Sequence, residues 1–162
     1  MYWISSPVDI FTGAHELVQY LLVFVFAAIP WIEIAVVIPL ALGLGLHPVG
    51  VAGLAFVGNL GSVLLLLRFS SLIPRIRTRT AAEWKNETRR SKWGWRIWDR
   101  YGLPGLAVAA PMVTGVHLAA MLALVVDTGE RDIAKWMAIS IGCWTIILVA
   151  MTLSGMSIFG FR

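Results

Sequence analysis

One carboxylate constrains this chain more than any other residue. Glu33 lies in Ile29-Pro30-Trp31-Ile32-Glu33-Ile34-Ala35-Val36-Val37-Ile38-Pro39, and no other acid, base or histidine occurs between Glu16 and His47. An acid at the centre of a membrane helix costs about 2.5–3.5 kcal/mol on insertion scales, so such residues face a bundle interior or a wet cavity and mark ion or substrate paths. Pro30 and Pro39 each remove a backbone donor and interrupt a straight helix. A broken helix holding a buried acid is therefore expected to be a site.

Composition supplies the setting. Of the 162 residues, 59% are hydrophobic and 14% charged, against about 25% charged in soluble domains. This is the composition of an integral membrane protein in one compact domain. The single cysteine, Cys143, excludes an intramolecular disulfide and a Cys-based metal cluster. The charges are segregated: between Arg68 and Arg100 lie ten basic residues against Glu83, Glu87 and Asp99, an excess of seven. Such a run is expected to be a cytoplasmic loop under the positive-inside rule. Read as a helix over 78–100, it places Trp84, Trp95 and Trp98 near one face, which suits the surface of an anionic leaflet. No nucleic-acid partner is needed to explain it.

The apolar segments differ in length. Val49–Phe69 and Ile133–Leu153 are long enough to span a bilayer. Two others are interrupted: 16–46 by Pro30, Glu33, Pro39, Gly43 and Gly45, and 103–126 by Pro104, Gly105, Pro111, Thr114 and Gly115. Each is expected to divide into arms that reach mid-membrane and return. The fold expected is an all-α integral membrane protein of two inverted repeats, 16–69 and 101–155. Each repeat is a re-entrant helical hairpin plus a transmembrane helix, and the basic cytoplasmic amphipathic segment 70–100 joins them. A shift of 81 places Pro30 on Pro111 and Glu33 on Thr114. Inverted repeats with interrupted helices in matching positions point to a transporter's central site. The rival topology is four plain spans at 17–39, 49–69, 103–126 and 133–153. Arg131 and Lys135 favour an inside junction at 127–132, and hence the hairpins.

The candidate site residues follow from this plan. Glu33 and His117 form the transport and proton site, with Glu33 either exchanging a proton or capping the second arm. Pro30, Trp31, Pro39, Asn59, Pro111, Thr114 and Gly115 are the expected substrate-binding residues. Trp31 can offer a ring face to a cation, Asn59 can line the cavity, and the broken backbone at Thr114-Gly115 can bind a polar group. Each has a structural alternative. Asn59 can bond across helices, and the small-residue spacings Gly115/Ala119/Ala123, Gly58/Ser62 and Ala138/Gly142 can serve close helix packing. No metal-ligand spacing, cofactor motif or catalytic motif is present, so neither a metal, a cofactor nor an enzyme is expected.

These residues carry a family resemblance. Pro30-Trp31-Ile32-Glu33 followed by Ile38-Pro39 resembles the Pro-x-x-Glu-Leu-Arg-Gly-Ala-Ile-Pro signature of the putative small multi-drug export protein family. Gly58-Asn59, Tyr101-Gly102 and Pro111-Met112-Val113-Thr114-Gly115 resemble its Gly-Asn, Tyr-Gly and Pro-Gly-Thr-Gly elements. The resemblance covers about residues 16–155. It departs at Ala35, Val36, Val113 and His117, where the family usually has Arg, Gly, Gly and Trp. That family is distantly similar in plan to the DedA-like proteins, which have paired re-entrant hairpins and are associated with lipid-carrier flipping and proton-dependent membrane homeostasis. The Arg-bearing motif of true DedA proteins is not present after Pro111, so their carboxylate–arginine mechanism does not carry over.

The resemblance and the residues together imply a multi-pass cell-membrane secondary transporter or exporter, proton-coupled, acting on small amphipathic solutes. The alternatives are a DedA-like lipid-carrier flippase and a non-transporting scaffold. The expected partners are membrane lipid, a small-molecule or lipid-like substrate, protons and a second copy in a homo-oligomer, most simply a dimer, since one chain encloses little volume.

Overall fold

A computed structural model describes residues 7–30, 32, 34–70, 89–126 and 128–158, and these residues form helices and no strand. The helices are α1 (Pro7–Ala28), α2 (Ile34–Gly43), α3 (Pro48–Phe69), α4 (Arg89–Val113), α5 (Val116–Val125) and α6 (Glu130–Ile158). The spans expected at 49–69 and 133–153 fall within α3 and α6. Neither 17–39 nor 103–126 is one continuous helix. α1 begins at Pro7, earlier than the expected start of the first arm.

Proline and glycine place the breaks. α1 stops at Ala28, because the residue before Pro30 is pushed out of the helical region. Tight i→i−3 bonds then carry the chain: the Ile29 N–H to the Phe26 carbonyl and the Ile32 N–H to the Ile29 carbonyl. α2 closes in a Schellman turn around Gly45, whose φ is 85°. There the Leu46 N–H bonds to the Ala41 carbonyl and the Gly45 N–H to the Leu42 carbonyl, and Leu46 is buried. Pro48 then opens α3 at a position that needs no donor. Gly102, with φ 64° and ψ −157°, breaks α4 into two parts. The second break is Thr114-Gly115, where Gly115 has φ 80° and donates to the Ala110 carbonyl at 2.6 Å.

α3, with 22 residues, is about 33 Å long, and α6, with 29, is longer, against a hydrocarbon core of about 30 Å. α2 and α5 have 10 residues each, about 15 Å, half that thickness. α3 and α6 pack against each other at the centre. α1 packs on α3, α2 on α6 and α3, and α4 and α5 on each other and on α6; α5 also reaches α3. The core between them is aliphatic, with Ile34, Ile38, Val51, Val63, Leu106, Met137 and Ile141 fully buried.

The outer surface is apolar too. In the most apolar 18 residues of each long helix only 28% are buried. Outward positions carry Val57, Leu64, Leu65, Ile139, Ile146 and Met151. The core helix of a soluble protein would be mostly buried, and an apolar surface of this kind on helices of spanning length suits lipid. This is a membrane protein.

Glycine sets the closest helix approach. A Cβ on Gly58 would lie 2.5 Å from the Phe24 carbonyl oxygen and 3.3 Å from the Ala27 Cβ, so α3 rests on the α1 backbone there. Gly61, one turn later, has nothing within 4 Å of the same position. Gly58→Ala is expected to destabilise the protein by about 1–3 kcal/mol through overpacking. Gly61→Ala is expected to be neutral or stabilising by up to about 1 kcal/mol, because alanine is the better helix former. Thermal unfolding of the two variants in detergent checks the contrast.

Candidate functional site

A small polar cluster joins α3 to α5 within this apolar protein. Asn59 is 2% exposed on α3. Its Oδ1 is buried with no hydrogen-bond partner among the described residues. Ser62, one turn on, donates its hydroxyl proton to the Asn59 carbonyl at 2.8 Å. The same Ser62 Oγ lies 2.7 Å from His117 Nε2 of α5. A hydroxyl has one proton, so which of Oγ and Nε2 donates across this contact depends on the tautomer of the ring.

The second break puts His117 in place. α4 ends at Val113 because Gly115 takes a left-handed backbone, and α5 restarts with His117 in its first turn. Gly115, Ala119 and Ala123 are buried and let α5 approach its neighbours closely. Thr114 is buried and donates to the Gly115 carbonyl at 3.3 Å.

Pro111 is fully buried and has no N–H, so the Ala107 carbonyl four residues back loses its helical donor. α6 answers it: Ser140 Oγ donates to the Ala107 carbonyl at 2.6 Å, and Trp144 Nε1 to the Val108 carbonyl at 2.7 Å. In lipid a carbonyl has no water to turn to, so this pair of donors is what allows a broken helix here.

The structure therefore brings Asn59 and His117 together and sets Pro111, Thr114 and Gly115 beside them along the chain. Pro30 is exposed at the first break and Pro39 is half-buried in α2; the cluster is built without them. Trp31 and Glu33 lie outside the described residues. Sequence reading missed Ser62 as a polar link, although Asn59-x-x-Ser62 on an apolar helix puts both on one face. It also missed Ser140, whose spacing to Pro111 in the chain carries no signal.

The basic segment differs from expectation. Its helix is described only from Arg89, and Trp84 lies outside the described residues. Trp95 is 5% exposed, inside the protein rather than at a lipid surface, and its Nε1 has no partner among the described residues. The cause is Gly94, which sits on Leu122 and Thr114: a Cβ there would lie 2.6 Å from Leu122 Cδ1. Seating the helix at Gly94 turns the adjacent Trp95 inward, and Trp93 becomes the exposed ring.

A second feature lies between α1 and α2. A groove of about 250 Å³ is lined by Leu22, Val23, Phe26, Val37, Leu40 and Ala41, with Gln19 the one polar lining residue among those described. Among the described residues no group of three His, Cys, Asp or Glu is placed to hold a metal ion.

A family model described as "Putative small multi-drug export protein" matches residues 33–147, more than two thirds of the chain. The chain belongs to the small multi-drug export family. The matched stretch takes in the Asn59–Ser62–His117 cluster, the second break and the α4–α6 hydrogen bonds. No curated protein and no solved structure matches this member of the family.

Ser140→Ala is expected to destabilise the protein by about 1–3 kcal/mol, the cost of a buried carbonyl left unpaired. In a Pro111→Ala background the restored N–H can satisfy Ala107, so the same substitution is expected to cost less there. A double-mutant cycle of unfolding free energies in detergent measures the difference.

Proposed function

We propose that this protein is a proton-coupled secondary carrier that exports small amphipathic cations across the cell membrane, and that it is not an enzyme. The observation that carries this reading is the buried Asn59–Ser62–His117 cluster, an ionisable ring hydrogen-bonded between two helices deep in an apolar domain. Polar groups at that depth are costly and mark ion and substrate routes. The family's own description agrees with export.

In this mechanism His117 takes up and releases a proton while its ring stays anchored on Ser62. Glu33 is the acidic member of the proton site. Asn59 Oδ1 has no partner among the described residues, so a solute that meets it there must donate, as the N–H of an alkylammonium does. The apolar groove beside α1 and α2 suits the hydrocarbon part of the same solute. The two half-length helices, α2 and α5, are the inner arms of re-entrant hairpins in inverted repeats, and access alternates by movement of one repeat against the other. A homodimer covers the outer walls of the hairpins, and the basic segment 70–100 is cytoplasmic.

Two measurements test this. In proteoliposomes, a pH gradient is expected to drive uptake of a cationic dye by the wild type. His117→Gln keeps a donor for Ser62 but cannot exchange a proton, and Glu33→Gln removes the acid. Each is expected to slow gradient-driven transport about tenfold or more, about 1.4 kcal/mol on the barrier. Wild-type rates and pH dependence in both variants would overturn proton coupling. No movement of dye, with movement of a polyprenyl phosphate instead, would favour lipid-carrier flipping, and no movement of either a scaffold.

Topology is tested separately in a Cys143→Ser background. Ser5→Cys is expected to react with an impermeant thiol reagent from outside and Gly129→Cys from inside. The reverse pattern would replace the hairpins with plain spans.

A further inference from the structure

We propose that the exposed face of the first part of α4 is a binding site for the headgroup of anionic phospholipids. The site is a stripe, not a charge count. Lys92, Arg96 and Arg100 recur every four residues and are all exposed, so they form one row about 12 Å long. The other side of the same turns is the buried one, with Gly94 and Trp95 turned into the protein. Asp99 is the one acid on the described part of this helix that flanks the row.

The two arginines are already positioned. The Arg96 guanidinium stands over the Trp93 ring, 4.6 Å from its centroid, and the Arg100 guanidinium 5.4 Å from that of Tyr101. Both rings are exposed, at 49% and 61%. A guanidinium drawn to a ring by cation–π attraction keeps N–H donors for an anion, and its fork matches two phosphate oxygens at once. Less side-chain freedom is then lost when the anion arrives.

Several observations favour a lipid over a free anion or a nucleic acid. The helix is seated at Gly94 on Leu122 of α5, a short apolar helix, so the row is fixed to the membrane part of the protein. Exposed Trp and Tyr beside basic residues are the side chains that settle at the membrane–water boundary. Three cations over about 12 Å fit one or two headgroups, whereas a nucleic-acid tract offers a longer line of phosphates. This inference does not depend on the transport reading and can fail or hold without it.

The test uses the purified full chain in neutral detergent. Its melting temperature is titrated with short-chain phosphatidylglycerol, phosphatidylcholine, inorganic phosphate and a short single-stranded RNA. Phosphatidylglycerol alone is expected to raise it. Lys92→Gln, Arg96→Gln and Arg100→Gln together are expected to weaken that response about a hundredfold, roughly a factor of five for each basic contact. Arg131→Gln with Lys135→Gln, equally exposed on α6, is expected to leave it unchanged. If the triple variant folds poorly, Arg96→Gln and Arg100→Gln singly are read in the same way, each losing part of the response. An equal response to phosphatidylcholine, phosphate or RNA, or a triple variant that keeps the lipid preference, would overturn the proposal.

Discussion

Inside a bilayer every broken turn of helix leaves backbone groups with no water to receive them, and the organisation of this protein follows from how those groups are answered. At the second break the answer comes from another helix: Ser140 and Trp144 of α6 donate to the carbonyls at Ala107 and Val108. At the end of α2 it comes from the chain itself, through the paired bonds around Gly45. Through one long-range device and one local one, the chain holds two helices of ten residues each with their adjoining carbonyls satisfied. Everything polar at depth, including the Asn59–Ser62–His117 cluster, depends on that arrangement.

The residues that break the helices were legible in the sequence, since proline and glycine act through their own backbone. Pro30 stops α1, Gly45 turns the chain, and Gly115 separates α4 from α5. The two long helices were legible for a related reason: uninterrupted apolar length is a property of the segment alone. What could not be read were the partnerships. Nothing local to Ser140 announces that it faces a carbonyl 33 residues earlier in the chain, and nothing local to Ser62 announces His117, 55 residues later. Trp95 shows the same limit in reverse. Periodicity assigned it to an edge, but the face a helix buries is decided by what it packs on, and here one glycine decided that.

Belonging to the small multi-drug export family gives the polar cluster its most economical meaning. Close packing by small residues and polar contacts by hydroxyl and ring share the same helices here. Gly58 touches the α1 backbone one residue before Asn59, and Ala119 packs two residues after His117. Rigid backbone contact next to a polar side chain restricts where that side chain can go. The same close packing that stabilises the domain therefore also fixes the geometry of its interior polar groups.

The Tyr20 hydroxyl accepts the backbone N–H of His47 at 3.0 Å, and its ring lies against Gly50. This clasp fastens α1 to the corner where α2 gives way to α3, just as Ser140 and Trp144 fasten α4 to α6. α1–α3 and α4–α6 thus each have their own latch, and the Ser62–His117 bond ties α3 to α5. Losing that bond would loosen α5 from α3 while leaving the Tyr20 and Ser140 clasps in place.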